Sequence, residues 1–571
     1  MRKFTRRELL LSVGTASAAS LLKSPVEILT ESLLSGLLQG AQAQSRTGPA
    51  RNYLHISLFG APPRWFFDLP LTPFSNAGFV PNAMVRNRYA GGGTQYATTA
   101  VAKGGKTFNL PHLWQFGVPT PGGGTRPMTD LFDNMAVIRG FNMGSDSHTT
   151  NHERQLRPVT NGPSLDGLVA DRSTARIPAV GAKDRTVPFG YKAPSGLGQV
   201  VVDSTLAANP LEQILGSFIR TAPAAFVNRK NAIDASIERG LDALKSYSMT
   251  NNPGAEALYK DRANAEALLK QGIGNLPAEW NRLFTKYQTL MNLSIRGPAA
   301  LAGINDQAMA ASNTEPMWRV FQNSNQAMYY IGNADVRTLV SNAYIQNLAE
   351  YMAVSEYLLV TGLSSSINIH VGHLSGLRFE NYRVGDPTQA VNATPKTDGA
   401  SDTDEHLTGI FSSVLINSVY FRALSACLLE LVTVLKATTR DGKSVFDETV
   451  IHIGSEFSRI GRNDGGGSDH GWTGASTSIL SGAIKQPLVV GNIYNQFDPS
   501  SPFYSVRATY DGTWGEGAPV IELGNRNLNP GHVAATLADL LRVARPLKNE
   551  LPVLSETSGG IISLIGDGRN V

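Results

Sequence analysis

The run Thr449-Val450-Ile451-His452-Ile453 constrains this chain more than any other stretch. It is apolar and β-branched, follows the turn-forming pair Asp447-Glu448, and reads as a buried strand. Where that strand should end stand Ser455, Glu456 and Arg459; a glycine-rich loop, Gly465-Gly466-Gly467, then delivers Asp469 and His470. Ligands of open α/β sheets bind outside the carboxyl ends of the strands, so polar residues there are site candidates. A carboxylate followed by an Asp-His pair on a loop suits a divalent metal, which takes oxygen and imidazole donors converging from separate segments. The same residues also fit a capped strand end followed by a solvated turn.

Other segments repeat the pattern. Tyr53-Leu54-His55-Ile56-Ser57-Leu58-Phe59-Gly60 reads as the first core strand, with Asp68 just past it. Residues 72–125, rich in Gly, Pro, Asn and Thr, read as a long surface insertion. A short strand, Met135 to Arg139, leads into Gly144-Ser145-Asp146-Ser147-His148-Thr149-Thr150-Asn151-His152. The i, i+4 spacing of His148 and His152 puts both imidazoles on one helical face, as two ligands would require, although Ser and Asp here serve equally as helix caps. After a predicted helix, Val336 to Leu359, the strand Ser366 to Val371 ends at His370 and His373.

A polar excursion over Arg378 to Ser401 reads as an inserted loop. It finishes in Ser401-Asp402-Thr403-Asp404-Glu405-His406, the densest acid and imidazole cluster in the chain. That cluster is a favourable helix start and also a ligand set, and an amphipathic helix is expected from Leu407 to Ala437. Pro487 to Gly491 reads as a further strand, and Asn529-Pro530-Gly531-His532 opens a final helix, Val533 to Val543. Strands separated by helical stretches point to a mainly parallel sheet covered on both faces. Residues 205–300 show apolar residues three and four apart and no chemistry; they read as a helical insertion that supplies no ligands.

The N-terminus reads as a targeting segment. Thr5-Arg6-Arg7-Glu8-Leu9-Leu10 resembles a twin-arginine export signal, an apolar run from Leu9 to Leu22 follows, and Ala41-Gln42-Ala43 offers a cleavage site, with Ala16-Ser17-Ala18 as an earlier alternative. A cytoplasmic basic helix is the alternative. The apolar run is too short and too interrupted for a membrane span, so no stable span is expected after cleavage. The whole chain carries a formal net charge of +4. Residues 1–43 hold five basic and three acidic residues, so cleavage leaves about +2, with no basic face for nucleic acid or membrane. Twin-arginine export carries folded proteins, which suits a metal loaded in the cytoplasm. Cys427, alone in 571 residues, cannot form an internal disulfide and reads as a small core residue.

Ser455-Glu456-Phe457-Ser458-Arg459 followed by Gly467-Ser468-Asp469-His470-Gly471 resembles the signature of a bacterial family, domain of unknown function 1501, within the alkaline phosphatase/sulfatase superfamily. Gly60-Ala61-Pro62-Pro63 to Phe67-Asp68, Ala136 to Arg139 with His152 and Thr160-Asn161-Gly162, and Asp404-Glu405-His406 match further family elements in order. The resemblance spans most of residues 53–543. Gly140 and Gly60-Ala61 stand where the family has Ser and Gly-Gly, and the tryptophan before the Asp404 position is absent.

The resemblance implies a three-layer α/β/α sandwich with metals over the carboxyl edge of the sheet. It implies metal-site positions at Asp68, Asp404, His406, Glu456, Asp469 and His470. The superfamily's nucleophile, normally at a helix N-terminus, has Ser145, Ser147, Thr149 and Thr150 as nearby candidates. Ser147 and Thr149 are carried forward here, with Arg139 and Arg459 (beside Arg64) as holders of an anion. The function expected is an exported metal-dependent hydrolase of phosphate or sulfate esters, periplasmic or secreted. It would use a divalent ion of the zinc, calcium or magnesium class on a small-molecule or glycan ester, with the export machinery as partner. A metal-binding or carbohydrate-associated envelope protein that kept the fold without turnover is the alternative.

Overall fold

The computed structural model describes residues 49–68, 98–182, 190–203, 209–219, 276–297, 319–322, 328–330, 339–379, 383–384, 396–401, 403–406, 410–461, 468–491, 493–494, 516–517, 519–524, 526–547 and 550–565. The export segment 1–43, most of the helical insertion 205–300, Asp402 and the Gly465–Gly467 loop lie outside the described residues.

Eight strands build the centre of the molecule, five of them along the apolar runs read above. They are β1 (Asn52–Leu58), β2 (Met135–Phe141), β3 (Val180–Ala182), β4 (Val200–Val202), β5 (Ser366–Val371), β6 (Thr449–Ser455), β7 (Ala475–Leu480) and β8 (Leu488–Val490). Together they form an eight-stranded sheet in the order β8-β2-β7-β6-β1-β5-β3-β4. All pairings are parallel except those of β7, which runs antiparallel to β6 and β2. The protein is therefore mixed α/β with a mostly parallel sheet. Tyr53, Leu54, Ile56 and Leu58 on β1 and Val450, Ile451 and Ile453 on β6 have no exposed surface. Both strands are buried on both faces, which explains their largely apolar sequence, and their polar residues are matched inside: His55 bonds Asn368 and His452 bonds Tyr53 and Thr477.

Register aligns the strand ends. Ser57 pairs with both His370 and Gly454, and Leu58 with both Val371 and Ser455. Phe59-Gly60, Gly372-His373 and Glu456 thus leave the sheet at one edge, beside the segment that follows β2. The helix Ile410–Ala437 packs its Tyr420, Phe421, Leu424, Leu428 and Leu431 out of solvent. Its Ser413–Ala437 portion is long and apolar enough to cross a membrane, but it is mostly buried within the protein, as a core helix is.

Three expectations change. Within residues 72–125, the described part is not surface throughout: Thr98–Lys103 and Lys106–Pro111 form a hairpin whose turn is exposed, while Phe108, Leu113 and Trp114 are buried. Trp114 stacks on Phe67 with ring centroids 5.6 Å apart. The apolar residues there are few but large, so periodicity hid them. The single helix expected from Val336 to Leu359 is interrupted among the described residues: Tyr344–Ile345 is strand and Asn347 sits at φ +64, outside helical space, so the long helix here is Leu348–Thr361. The excursion after Arg378 is not loop throughout, since Leu374–Phe379 pairs antiparallel with Lys396–Ser401.

Of the expected helical insertion, Leu276–Arg296 buries Leu283, Tyr287 and Leu290 in the common core. Lys286 bridges Glu356 at 2.5 Å and Glu430 at 3.2 Å, tying this helix to Leu348–Thr361 and Ile410–Ala437.

Candidate functional site

Four donors meet at the carboxyl edge: His148, Asp404, His406 and His470, whose ligand atoms lie within 4.8 Å of one another. Each arrives by a different element. His148 opens the short helix His148–Arg154, capped by Ser147, whose hydroxyl accepts the Thr150 N–H. Asp404 and His406 sit in a tight turn closed by the His406 N–H on the Asp404 carbonyl at 2.8 Å. His470 lies on a hairpin, Ser458–Gly461 paired with Ser468–Gly471, that leaves β6 and returns into β7. Arg459 faces His470 across that hairpin.

The three histidines share one orientation. Nε2 of His470 lies 3.1 Å from Nε2 of His148 and 3.0 Å from Nε2 of His406. Asp404 reaches His148 Nε2 at 3.2 Å and His406 Nε2 at 3.1 Å, and lies 3.7 Å from His470 Nε2. The Nδ1 atoms face outward to oxygens: His470 to the Asp146 carbonyl at 2.6 Å, His406 to Asp469 at 3.4 Å, His148 to Glu456 at 3.9 Å. Edges of a tetrahedral set around zinc, with ligands at about 2.0–2.1 Å, are about 3.3 Å. The observed separations fit that geometry, so the described residues form a His/Asp cluster able to hold a metal ion.

Electrostatics draw positive charge to the centre, in the form of protons that a bound cation would displace. Burial alone would lower His148, but Asp404 and Glu456 outweigh it and push it up to about 9. Contacts with Asp404 and then Asp469 push His406 up to about 9. Burial works against the charge on Asp404, yet His148, His406, His470 and Arg459 hold its carboxyl well below the usual range. Burial likewise opposes the charge on Glu456, and His148 and His152 bring it down to about 2. The site favours positive charge among its imidazoles. Phe457, fully buried, backs it, with ring centroids 4.7 Å from His148 and 4.3 Å from His470.

The expected residues separate into groups. Asp404, His406 and His470 converge. Glu456 is fully buried one layer behind, with the Gly60 N–H on its Oε1 at 3.2 Å and His152 Nδ1 at 3.9 Å. Asp469 borders the cluster with its side chain 56% exposed. Asp68 is held elsewhere: Arg64 grips both its oxygens and Ser478 donates to one of them, so its charge is already matched.

Arg459 donates to Asp404 and to the Gly60 and Ala61 carbonyls, and so braces the site. Arg139 is buried in β2 and donates to the Gly491 carbonyl at 2.9 Å; the apolar strand around it points its guanidinium into the protein. Ser147 is occupied as a helix cap and Thr149 is exposed.

His148 is the donor that the ligand set inferred from resemblance omitted. Its signal was the i, i+4 pairing with His152, and both imidazoles do lie on one face, each with Nδ1 at 3.9 Å from Glu456 Oε1. Glu405, inside the same acidic cluster, turns away and accepts from Ser413 at 2.5 Å and Asn417 at 2.6 Å.

Fold and site together define a mixed α/β protein with a histidine-rich candidate cation site at the carboxyl edge of its sheet. Comparison of the chain with protein-family models, curated proteins and solved structures returns no match.

Proposed function

We propose that this chain is an exported, metal-dependent hydrolase of phosphate or sulfate esters, built as a three-layer α/β/α sandwich of the alkaline phosphatase/sulfatase type. The twin-arginine-like N-terminus, Arg6-Arg7, supports periplasmic or secreted localisation. One observation carries the reading: three Nε2 atoms and a carboxylate converge at contact distance with the opposite ring nitrogens turned to oxygen acceptors. With Nδ1 of His470 donating, its Nε2 presents a lone pair, and lone pairs crowded this closely repel unless a cation or proton lies between them. A nitrogen-rich set favours zinc or another first-row divalent ion over calcium or magnesium, which take oxygen ligands.

A bound cation would supply Lewis-acid stabilisation of anionic ester oxygens and an oxygen nucleophile at neutral pH. The chain's own contribution is to hold the donors: Arg459 fixes Asp404, Phe457 packs behind the imidazoles, and the paired strands Ser458–Gly461 and Ser468–Gly471 carry His470. His406, with its side chain 39% exposed, leaves the site open to a substrate.

The second reading, a metal-binding envelope protein without turnover, is favoured by one observation: the Ser147 hydroxyl is engaged as a cap. The test is hydrolysis of p-nitrophenyl phosphate and p-nitrophenyl sulfate by zinc-loaded protein, with Asp404→Ala as control. Turnover that the control lacks supports the hydrolase. Zinc binding without turnover of either ester supports the second reading.

A further inference from the structure

Glu456 and Asp469 both stand beside the cluster, and both are natural ligands by residue type. Geometry separates them from the inner set. Glu456 approaches His148 at Nδ1, while the Nε2 of the same ring faces His470 and Asp404. The imidazole therefore stands between the Glu456 carboxylate and the point where the four donors meet. Asp469 approaches His406 at Nδ1 in the same way, with Nε2 of that ring facing His470. Asp469 and His470 are also successive residues of one strand, and successive strand side chains point to opposite faces. The hairpin register agrees: His470 shares a level with Arg459, which touches Asp404, whereas Asp469 pairs with Ile460.

Metal-ligating histidines characteristically give their outer N–H to a carboxylate or carbonyl, which fixes ring orientation and raises basicity. Two of the three have such an acceptor, the Asp146 carbonyl for His470 and Asp469 for His406, while the Glu456 carboxylate faces His148 Nδ1 at 3.9 Å, an ion-pair distance. The buried Glu456 Oε2 has no hydrogen-bond partner among the described residues, while Oε1 takes the Gly60 N–H and faces the histidines.

We infer that Glu456 and Asp469 are positioning residues that hold the outer nitrogens of His148 and His406, so that the cation is bound by His148, Asp404, His406 and His470 alone. This rests on the metal reading above and adds a consequence for substrate. One inner carboxylate leaves a divalent ion with a local charge of +1, whereas three would leave –1. A centre of positive sign attracts the anionic ester that a three-carboxylate centre would repel.

The test uses the full chain with cobalt(II), titrated against a competing chelator and read by its visible absorption. Glu456→Gln and Asp469→Asn keep one ion per chain and the wild-type band positions, but each weakens affinity about 10- to 100-fold. Glu456→Leu, which presents no oxygen to His148 Nδ1, loses more than Glu456→Gln. Loss of the ion or a shifted band in either amide variant makes that residue a ligand and overturns the inference. Unchanged affinity in both overturns it equally. Asp469 is exposed, so its variant reports even where the Glu456 variants fail to fold. A wild-type chain that binds no cobalt overturns the metal reading itself, and this inference with it.

Discussion

Gly60 and Thr403 meet so closely that a Cβ on Gly60 would lie 2.5 Å from the Thr403 hydroxyl and 2.9 Å from the Asp404 nitrogen. The turn carrying two candidate ligands therefore rests directly on the backbone that leaves β1. Thr403 secures the seat by donating to the Phe59 carbonyl at 2.6 Å, and its own N–H reaches His373 Nδ1 at 3.2 Å.

Gly60 has φ +80, which an L side chain rarely adopts, and the neighbouring atoms belong to backbone and a short side chain. Gly60→Ala should displace the Thr403–His406 turn. The expected outcome is zinc affinity lowered at least tenfold with the fold retained, read by competition with a chromophoric chelator alongside circular dichroism.

Arg459 is 1% exposed and satisfies Asp404 together with two backbone carbonyls. Its removal leaves a carboxylate and two acceptors without their donor. Arg459→Ala is expected to destabilise the fold by about 3–5 kcal/mol, the range for breaking a buried pair from one side. Because Asp404 is partly exposed, the loss should fall at the low end. The urea midpoint measures it.

Asp166 is fully buried at the start of the helix Leu165–Arg172, and burial pushes its carboxyl up to about 6, against the Gly167 N–H and nearby hydroxyl and amide donors. The folded protein therefore holds this proton more tightly than the unfolded chain, so stability falls as pH rises from about 4 to 6. Tyr53 and Tyr191 face the same group and stay neutral in this window, their own values being raised. Asp166→Asn keeps the acceptor for Gly167 and should raise the melting temperature at pH 7.5, by an amount equivalent to roughly 3 kcal/mol. The difference should vanish by pH 4. Calorimetry at the two pH values checks both parts.

The proposed export through Arg6-Arg7 has a direct readout. With both residues replaced by lysine, the protein should accumulate in the cytoplasm, as measured by fractionation of the producing cells. Unchanged delivery to the periplasm would contradict the signal reading.

Much of the fold was legible because a strand buried on both faces is mainly apolar, as β1 and β6 are apart from hydrogen-bonded residues such as His55 and His452. β7 escaped notice. Its Ala475-Ser476-Thr477-Ser478-Ile479-Leu480 carries small hydroxyl residues that are buried through hydrogen bonds, such as Thr477 to His452 at 2.8 Å and Ser478 to Asp68. No hydrophobic pattern marks such a strand, and so its antiparallel direction was illegible as well.

At the site, Asp404, His406 and His470 were recognisable from residue type and position, and His148 from its spacing to His152. What sequence could not express is which side of an imidazole a carboxylate approaches. That detail separates a donor at the centre, such as Asp404, from an acceptor behind a ring. Asp68 looked like a ligand for the same reason: its neutralisation depends on Arg64 curling back one turn, which residue type alone does not specify.

The most direct test of the central claim is a zinc titration of the full chain followed by calorimetry, with Asp404→Ala and His470→Ala in parallel. The expected result is one saturable zinc per chain, with affinity falling at least a hundredfold in each variant while the apo proteins remain folded. No saturable zinc in the wild type, or zinc bound equally by both variants, would contradict a cation site built from these four side chains.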